Sequence, residues 1–473
     1  MEDFARSDKK VKIYIAKNNL LDAKYDFADV SDDAPVEISD TEWMADLEVD
    51  RGGGYKPSAA NLNLIFTHDP RLKRLFRLND FDNKVYVYGT LPWRKVTKPE
   101  PIRNVDYAGT RNYIEIIYGI ASSAKIEDAL ELECERNHFH PVREYLSSLD
   151  WDGKERISTL LPRLFGTPQN AYTQEAMRKT LLGAISRVFR PGCKFDLVLT
   201  LVSNTQGTGK SSFFRALAKN WFSDTFMTVQ GKDAFEQLQG TWVMEMAELA
   251  GLKKADVESV KHFISKQVDQ FRPAYARVPE SFPRQCVFVA TTNESSFLRD
   301  TSGNRRFMPV DVAETPLLHN PVLMKFLEDG SEIDQVWAEA MEYYRKGEPL
   351  YLSQEAESIA KEEQELHEDI DPRVGVIIDY LEKPKPANWR KMGIFERRGW
   401  MTDEISVGTE EVNETCAIAV WAEALGKNRE DFDKYNSREL NNVLRGIDGW
   451  EFVSDSRRFE IYGKQRIFRK CKK

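Results

Sequence analysis

The sequence predicts an α/β fold: a parallel sheet flanked by helices, with a small N-terminal mixed or helical domain before it and a C-terminal winged-helix domain after it. Three observations predict it. Apolar, β-branched runs at 195–202, 242–246 and 287–290 alternate with stretches of helical spacing, as a buried parallel sheet requires. A glycine-containing loop stands between the first run and a helix that starts near Lys210. Residues 386–473 place helical stretches ahead of short, basic strands, the outline of a winged helix-turn-helix.

Taken in order, the chain opens on an acidic segment. From Asp22 to Asp50 eleven acids face Lys24 alone, so the overall charge of −9 conceals a body of 66 basic and 65 acidic residues. With Gly52, Gly53, Gly54 and Pro57 this makes residues 1–57 a flexible acidic arm. An accessory domain follows at 58–140, with helical spacing through Leu62, Ile65, Leu72 and Leu75, a strand at 85–88 and further helix from Ile114 to Leu132. The main domain spans 141–350 and begins with helices through Leu161 and from Met177 to Val188, ended by Pro191 and Gly192. The charged run QEAESIAKEEQELHEDI reads as a solvated helical connector over 351–385. Helices at Ala417–Leu425 and Ser437–Gly446 then precede strands at Glu451–Val453, Arg458–Tyr462 and Gln465–Phe468.

At 473 residues the chain exceeds one ordinary hydrophobic core, and two or three folded units are expected. No run approaches the roughly twenty apolar residues of a membrane span, and MEDFARSDKK lacks a secretory apolar core, so a cytoplasmic protein with no membrane partner is expected. Five cysteines without paired spacing argue against a disulfide framework and a zinc site. His138 and His140, with Cys134 nearby, read as local packing.

Chemistry concentrates at Asn204-Thr205-Gln206-Gly207-Thr208-Gly209-Lys210-Ser211-Ser212, between a predicted strand and a predicted helix. Backbone N–H groups freed by the glycines can close around phosphate oxygens, with Lys210 as a point charge and Ser211 offering a hydroxyl to Mg2+. Asn204 occupies the first glycine position of the G-x-x-x-x-G-K-[ST] pattern and tolerates left-handed backbone better than most residues. Gln206 to Ser212 are therefore the candidate ATP contacts.

Downstream, Trp242-Val243-Met244-Glu245 is an apolar run ending in an acid. Glu245 suits Mg2+, and Glu248 suits polarising an attacking water, a surface charge at a helix start being the competing reading for Glu248. Asn293 ends the run CVFVATTN at the edge where open α/β sheets bind ligands. Arg305 and Arg306 stand on a glycine-containing loop suited to reaching a neighbour's γ-phosphate; a surface pair with Asp300 is the bland alternative.

For nucleic acid, Lys266, Arg272, Tyr275 and Arg277 interleave basic and aromatic character around Pro273 and Pro279. A hairpin there can track single-stranded DNA, and for Tyr275 a purely structural role is equally open. The tail carries Arg457, Arg458, Lys464 and Arg466 among eight basic groups against Glu460, an electrostatic footprint for duplex DNA.

The segments HPVREYLSSLDWDGKERI, PGCKFDLVLTLVSNTQGTGKSSFFRAL, KDAFEQLQGTWVMEMAEL, FISKQVDQFRPAYARVPESFPRQCVFVATTNE and LRDTSGNRRFMPV resemble the virulence-associated protein E family of phage and pathogenicity-island proteins, related to superfamily 3 helicases and AAA+ ATPases. That resemblance covers about residues 58–320 and implies an AAA+-like P-loop core. It implies Walker A roles for Gly207, Gly209, Lys210 and Ser211, Walker B roles for Glu245 and Glu248, a sensor at Asn293, a finger at Arg305 or Arg306, and a channel hairpin near Lys266 to Arg277. Assembly as a hexamer, action on single- and double-stranded DNA at an origin or fork, and residence in a bacterial host cell are implied likewise. The function expected is an ATP-dependent replicative helicase without primase activity. An ATP-regulated origin-binding initiator that separates no strands is the alternative, and a small-molecule P-loop kinase a remote third.

Overall fold

The computed structural model describes residues 42–247, 254–273, 278–298, 304–368, 371–403, 405 and 407–471. In the accessory domain, strands β1 (Phe76–Asn79), β2 (Lys84–Val87), β3 (Glu100–Pro101) and β4 (His138–Phe139) form a sheet in the order β3-β2-β1-β4. Helices α1 (Ala59–His68), α2 (Asn104–Tyr118) and α3 (Ser123–Arg136) bury Leu62, Ile65, Phe66, Ile114, Ile126 and Leu130 in one core with Phe76 and Val87. The hydroxyls of Tyr113 and Tyr118 both donate to Asp69 Oδ2 at 2.8 Å, which satisfies a buried carboxylate.

Part of the segment expected to form a flexible arm to residue 57 is folded. Residues Glu42–Asp46 form a 3-10 turn whose Trp43, with Leu47, enters this core, the indole stacking on His68 at 5.8 Å. One buried tryptophan can anchor a charged segment that shows no apolar periodicity. Residues 1–41 of that arm lie outside the described residues.

The main domain opens with α4 (Pro141–Ser147), α5 (Ile157–Phe165) and α6 (Ala171–Phe189). The last is buried nearly all round, and Gly183 lies so close beneath the Phe195 ring that a Cβ would come within 2.4 Å of it. Such a helix is a core element rather than a surface one. It precedes β5 (Val198–Val202), α7 (Lys210–Ala218), β6 (Phe222–Ser223), α8 (Asp233–Glu236), β7 (Val243–Ala247) and α9 (Lys254–Ser265). A two-stranded hairpin, β8 (Val268–Phe271) with β9 (Glu280–Pro283), comes before β10 (Val287–Thr292) and β11 (Phe307–Asp311).

The order β11-β5-β10-β7-β6 is parallel at every pairing. In strand numbers counted along the sheet's own chain order this is fifth, first, fourth, third, second. Strands β5 and β10 are buried throughout, which is why their sequences read as continuous apolar runs. Helices α10 (Pro321–Glu328) and α11 (Gly330–Arg345) complete the layer; Trp337 on α11 stacks on Trp242 with centroids 4.2 Å apart.

The connector expected over 351–385 divides instead between two units. Its helix α12 (Gln354–Leu366) packs on α6 and β11 through Ala356 and Ala360. Alanines give little hydrophobic contrast, so the charged outer face dominated the sequence pattern. Helix α13 (Arg373–Glu382) instead shares the core of the C-terminal unit through Ile377, Tyr380 and Leu381. There α14 (Ile394–Thr402), a helical turn over 417–424 and α15 (Lys434–Arg445) pack on a three-stranded antiparallel sheet in the order β12-β14-β13, formed by β12 (Glu414–Thr415), β13 (Trp450–Arg458) and β14 (Lys464–Lys470).

Of the strands expected there, Glu451–Val453 extends to Arg458 and Arg458–Tyr462 does not continue as a strand. Strand β13 runs through the polar Ser454, Asp455 and Ser456 on a register shift between Val453 and Ser456, and Glu460–Tyr462 is a 3-10 turn. At the centre of the unit Arg397 pairs with Glu423 at 2.7 Å and with Glu460 at 2.5 Å. The Tyr380 and Tyr462 hydroxyls donate to the same Glu423. Among the described residues no helix is long and apolar enough to cross a membrane.

Candidate functional site

The loop from Ser203 to Gly209 leaves the carboxyl end of β5 and turns into α7. Gly207 (φ 74°) and Gly209 (φ 89°) take left-handed backbone, which glycine adopts without steric cost. At Gly209 a Cβ would also stand 2.7 Å from Leu323 Cδ2, so two independent constraints select glycine there. The Gly207 carbonyl accepts from the Leu317 amide at 2.9 Å, and the exposed Asn204 amide donates to Glu314 Oε1 at 3.2 Å. Gln206, Gly207 and Ser211 are exposed, Gly209 and Ser212 half-buried, and Thr208 and Lys210 buried.

Three elements converge on this loop. Lys210 Nζ donates to Asn293 Oδ1 at 2.9 Å, just beyond β10, and lies 3.4 Å from Thr208 Oγ1. Ser211 Oγ and Thr291 Oγ1 both donate to Glu245 Oε1 on β7, each at 2.6 Å. Glu245 is 1% exposed, and its Oε2 has no hydrogen-bond partner among the described residues. Burial lowers the Lys210 pKa below the ordinary lysine value, while Glu245 pulls the other way. The cluster thus holds a partly desolvated ammonium beside glycine amides at a helix start, an arrangement that favours an anion. It also holds a carboxylate oxygen and a hydroxyl that suit a hard cation.

Thr291 is a member of this cluster that motif reading gave no role. The signal lay in strand alternation, because Thr291 and Asn293 stand two residues apart at the end of one strand.

The arginine pair divides. Arg305 is exposed on the 3-10 turn Asn304–Arg306, whereas Arg306 donates through Nε to Ser265 Oγ at 2.8 Å and lies 3.6 Å from Asp196 Oδ2. Asn304 fixes the turn by accepting from Lys261 Nζ at 3.0 Å and donating to Glu368 Oε1 at 3.1 Å. Glu248, Tyr275 and Arg277 lie outside the described residues.

In the hairpin, Arg272 is exposed, while Lys266 is half-buried over the Phe235 ring at 4.5 Å. Arg284 at its base is buried on Asp269, with Nε–Oδ2 at 2.7 Å and Nη2–Oδ1 at 2.9 Å, so it braces the hairpin and is not presented to solvent. Phe271 and Phe282 stack across the two strands at 4.4 Å. In the C-terminal sheet Arg458, Lys464 and Arg466 are exposed, and Arg457 pairs with Glu414.

Fold and site together define a mixed α/β protein with a polar cluster gathered at the carboxyl edge of a parallel sheet. Residues 146–369 match the virulence-associated protein E-like domain. The boundary at 369 falls between α12 and α13, where the hydrophobic core also changes. Among solved structures the chain is similar to an A-form apo structure of the NrS-1 C-terminal region (305–718), at 12% identity and a TM-score of 0.44, covering 84% of this chain and 96% of that one. A second apo structure of the same region matches at 11% identity and 0.44, with the same coverage. No curated protein matches the chain.

Proposed function

We propose that the chain is an ATP-hydrolysing DNA motor, a ring-forming helicase of the P-loop class that acts in replication of a phage or other mobile element. One observation carries the reading: Lys210, Ser211, Glu245 and Asn293, from three different elements, meet at the loop that joins the sheet's first strand to its helix. The strand order supports it, since the first strand lies between the fifth and the fourth, an order in which the fourth strand delivers its end beside the first and the third lies one strand farther along the same edge. The family match over 146–369 is consistent with a mobile-element origin.

In this reading the amides of Gln206 to Ser212 close around the triphosphate of ATP, and Lys210 gains from the γ-phosphate the counter-charge that burial denies it. Asn293, in reach of Lys210, marks the position of the terminal phosphate. Glu248 polarises the attacking water. Ser211 and Glu245 would hold Mg2+, and a buried Glu245 Oε2 with no hydrogen-bond partner among the described residues fits that role. When bound, the ion neutralises charge on the phosphates. Arg305, exposed on its turn, is the residue to reach an adjacent subunit's nucleotide in a hexamer. Single-stranded DNA would meet Lys266, Arg272, Tyr275 and Arg277. Duplex DNA would meet Arg457, Arg458, Lys464 and Arg466 on a winged-helix unit.

The test is unwinding of a forked duplex by wild type, Lys210→Ala and Arg305→Ala, with phosphate release measured alongside. The expected outcome is ATP-dependent strand separation by wild type and none by either variant. ATP turnover stimulated by DNA with no strand separation would favour the initiator reading instead. A wild-type protein that releases no phosphate with DNA present would refute both.

A further inference from the structure

We infer that Asp311, Glu363 and His367 form a binding site for a divalent transition-metal ion, separate in its ligands from the Ser211–Glu245 pair. Candidate ligand atoms of the three residues all lie within 4.8 Å of one another. Bonds of about 2.0–2.2 Å to nitrogen and oxygen hold two ligands of one ion no more than about 4.4 Å apart, so the set would draw together on binding.

The imidazole is the most informative member. His367 is 3% exposed, and its Nδ1 lies 2.6 Å from the Ser295 carbonyl oxygen. A carbonyl accepts, so Nδ1 carries a proton, and in the neutral ring Nε2 keeps its lone pair. That Nε2 is buried and makes no hydrogen bond among the described residues, the nearest carboxylate oxygen being Asp311 Oδ1 at 3.4 Å. A histidine whose outer nitrogen is fixed by a backbone carbonyl, and whose inner nitrogen faces two carboxylates, has the tautomer and orientation of a metal ligand.

The elements also explain why the three residues meet. Glu363 and His367 lie four residues apart at the carboxyl end of α12, so both project from one face. Asp311 is the last residue of β11, on which that helix packs, and Gln364 Nε2 fastens the two by donating to the Phe307 carbonyl at 2.7 Å. Asp311 is exposed and Glu363 half-buried, which leaves a path for the ion and room for solvent ligands. One nitrogen and two carboxylates suit borderline Zn2+ or harder Mn2+ rather than a soft, thiolate-seeking ion.

The consequence concerns the strand-to-arginine connection. The His367 carbonyl accepts from the Phe297 and Leu298 amides, at 3.2 and 3.1 Å, so the site is tied to the segment that runs on from Asn293. An ion there would clamp β11, α12 and that segment to one another.

Zn2+ and Mn2+ are to be titrated calorimetrically into the full chain after EDTA treatment, using wild type, Glu363→Gln, His367→Gln and Glu245→Gln. The expected result is one Zn2+ per wild-type chain and affinity reduced about 10-fold or more in the first two variants. Glu245→Gln binds as wild type, and Zn2+ raises the Tm of wild type but not of Glu363→Gln. Glu363→Gln is a near-isosteric change at a half-buried position and decides the matter if His367→Gln fails to fold. A wild-type chain that takes up no Zn2+, as a plain His367–Asp311 ion pair would, overturns the site, and so does equal uptake by wild type and Glu363→Gln.

Discussion

Arg305 and Arg306 are adjacent in sequence and opposite in circumstance. Arg306 is occupied within its own chain by Ser265 and Asp196, and Arg305 is not buried. The variants should separate accordingly. Arg305→Ala is expected to leave Tm unchanged and to lower kcat for ATP by about 10³- to 10⁵-fold, as loss of an arginine finger does. Arg306→Ala is expected to cost about 1 kcal/mol of stability, read by urea denaturation, through its lost hydrogen bond. At Gly209 the left-handed backbone and Leu323 act together, and Gly209→Ala should destabilise by about 1–3 kcal/mol and weaken nucleotide binding. The motif from Gly207 to Ser211 was legible at this scale because its logic is local. The pairing of Lys210 with Asn293 spans 83 positions, and no spacing rule encodes a contact of that range.

Among the elements, those buried on both faces announced themselves best. Strands β5 and β10 read as unbroken apolar runs because neither face meets water. The sequence pattern ends the first strand of that unit at Val453 because Ser454, Asp455 and Ser456 interrupt it on an exposed stretch of β13, and it marks α12 as solvated because small alanines line its inner face. The hairpin β8–β9 was legible as a hairpin, but the role of Arg284 was not, since a basic residue in sequence does not reveal its burial on Asp269. Breaking a buried pair by removing one partner leaves an uncompensated charge, so Asp269→Ala should cost about 3–5 kcal/mol. Denaturant unfolding checks this, and Arg284→Met combined with Asp269→Leu should recover most of the loss.

Across the whole molecule, the C-terminal unit carries a pH dependence of its own. Lys385 is buried between Tyr380 and Trp389, and burial, with Lys383 and Arg397 adding to it and Glu423 opposing, pushes its pKa down to about 7. In the unfolded chain a lysine holds its proton to about pH 10.4. Between those values the unfolded state binds one more proton, so this group's cost is full below pH 7 and fades as pH rises toward 10. Lys385→Met is therefore expected to stabilise the unit by about 1–3 kcal/mol at pH 6 and to flatten its stability profile between pH 7 and 10, as measured by denaturation at several pH values.

The stacked Trp242 and Trp337 have an optical corollary. Their indoles lie 26° from parallel, both fully buried, with each N–H fixed to a backbone carbonyl, Trp242 to Ala184 and Trp337 to Leu217. Two chromophores held that rigidly and that near should couple as an exciton and give a circular-dichroism couplet. Its disappearance on heating would report melting of the parallel-sheet unit alone, and a small change in it on adding ATP would report motion relayed through the end of α7, where Leu217 sits.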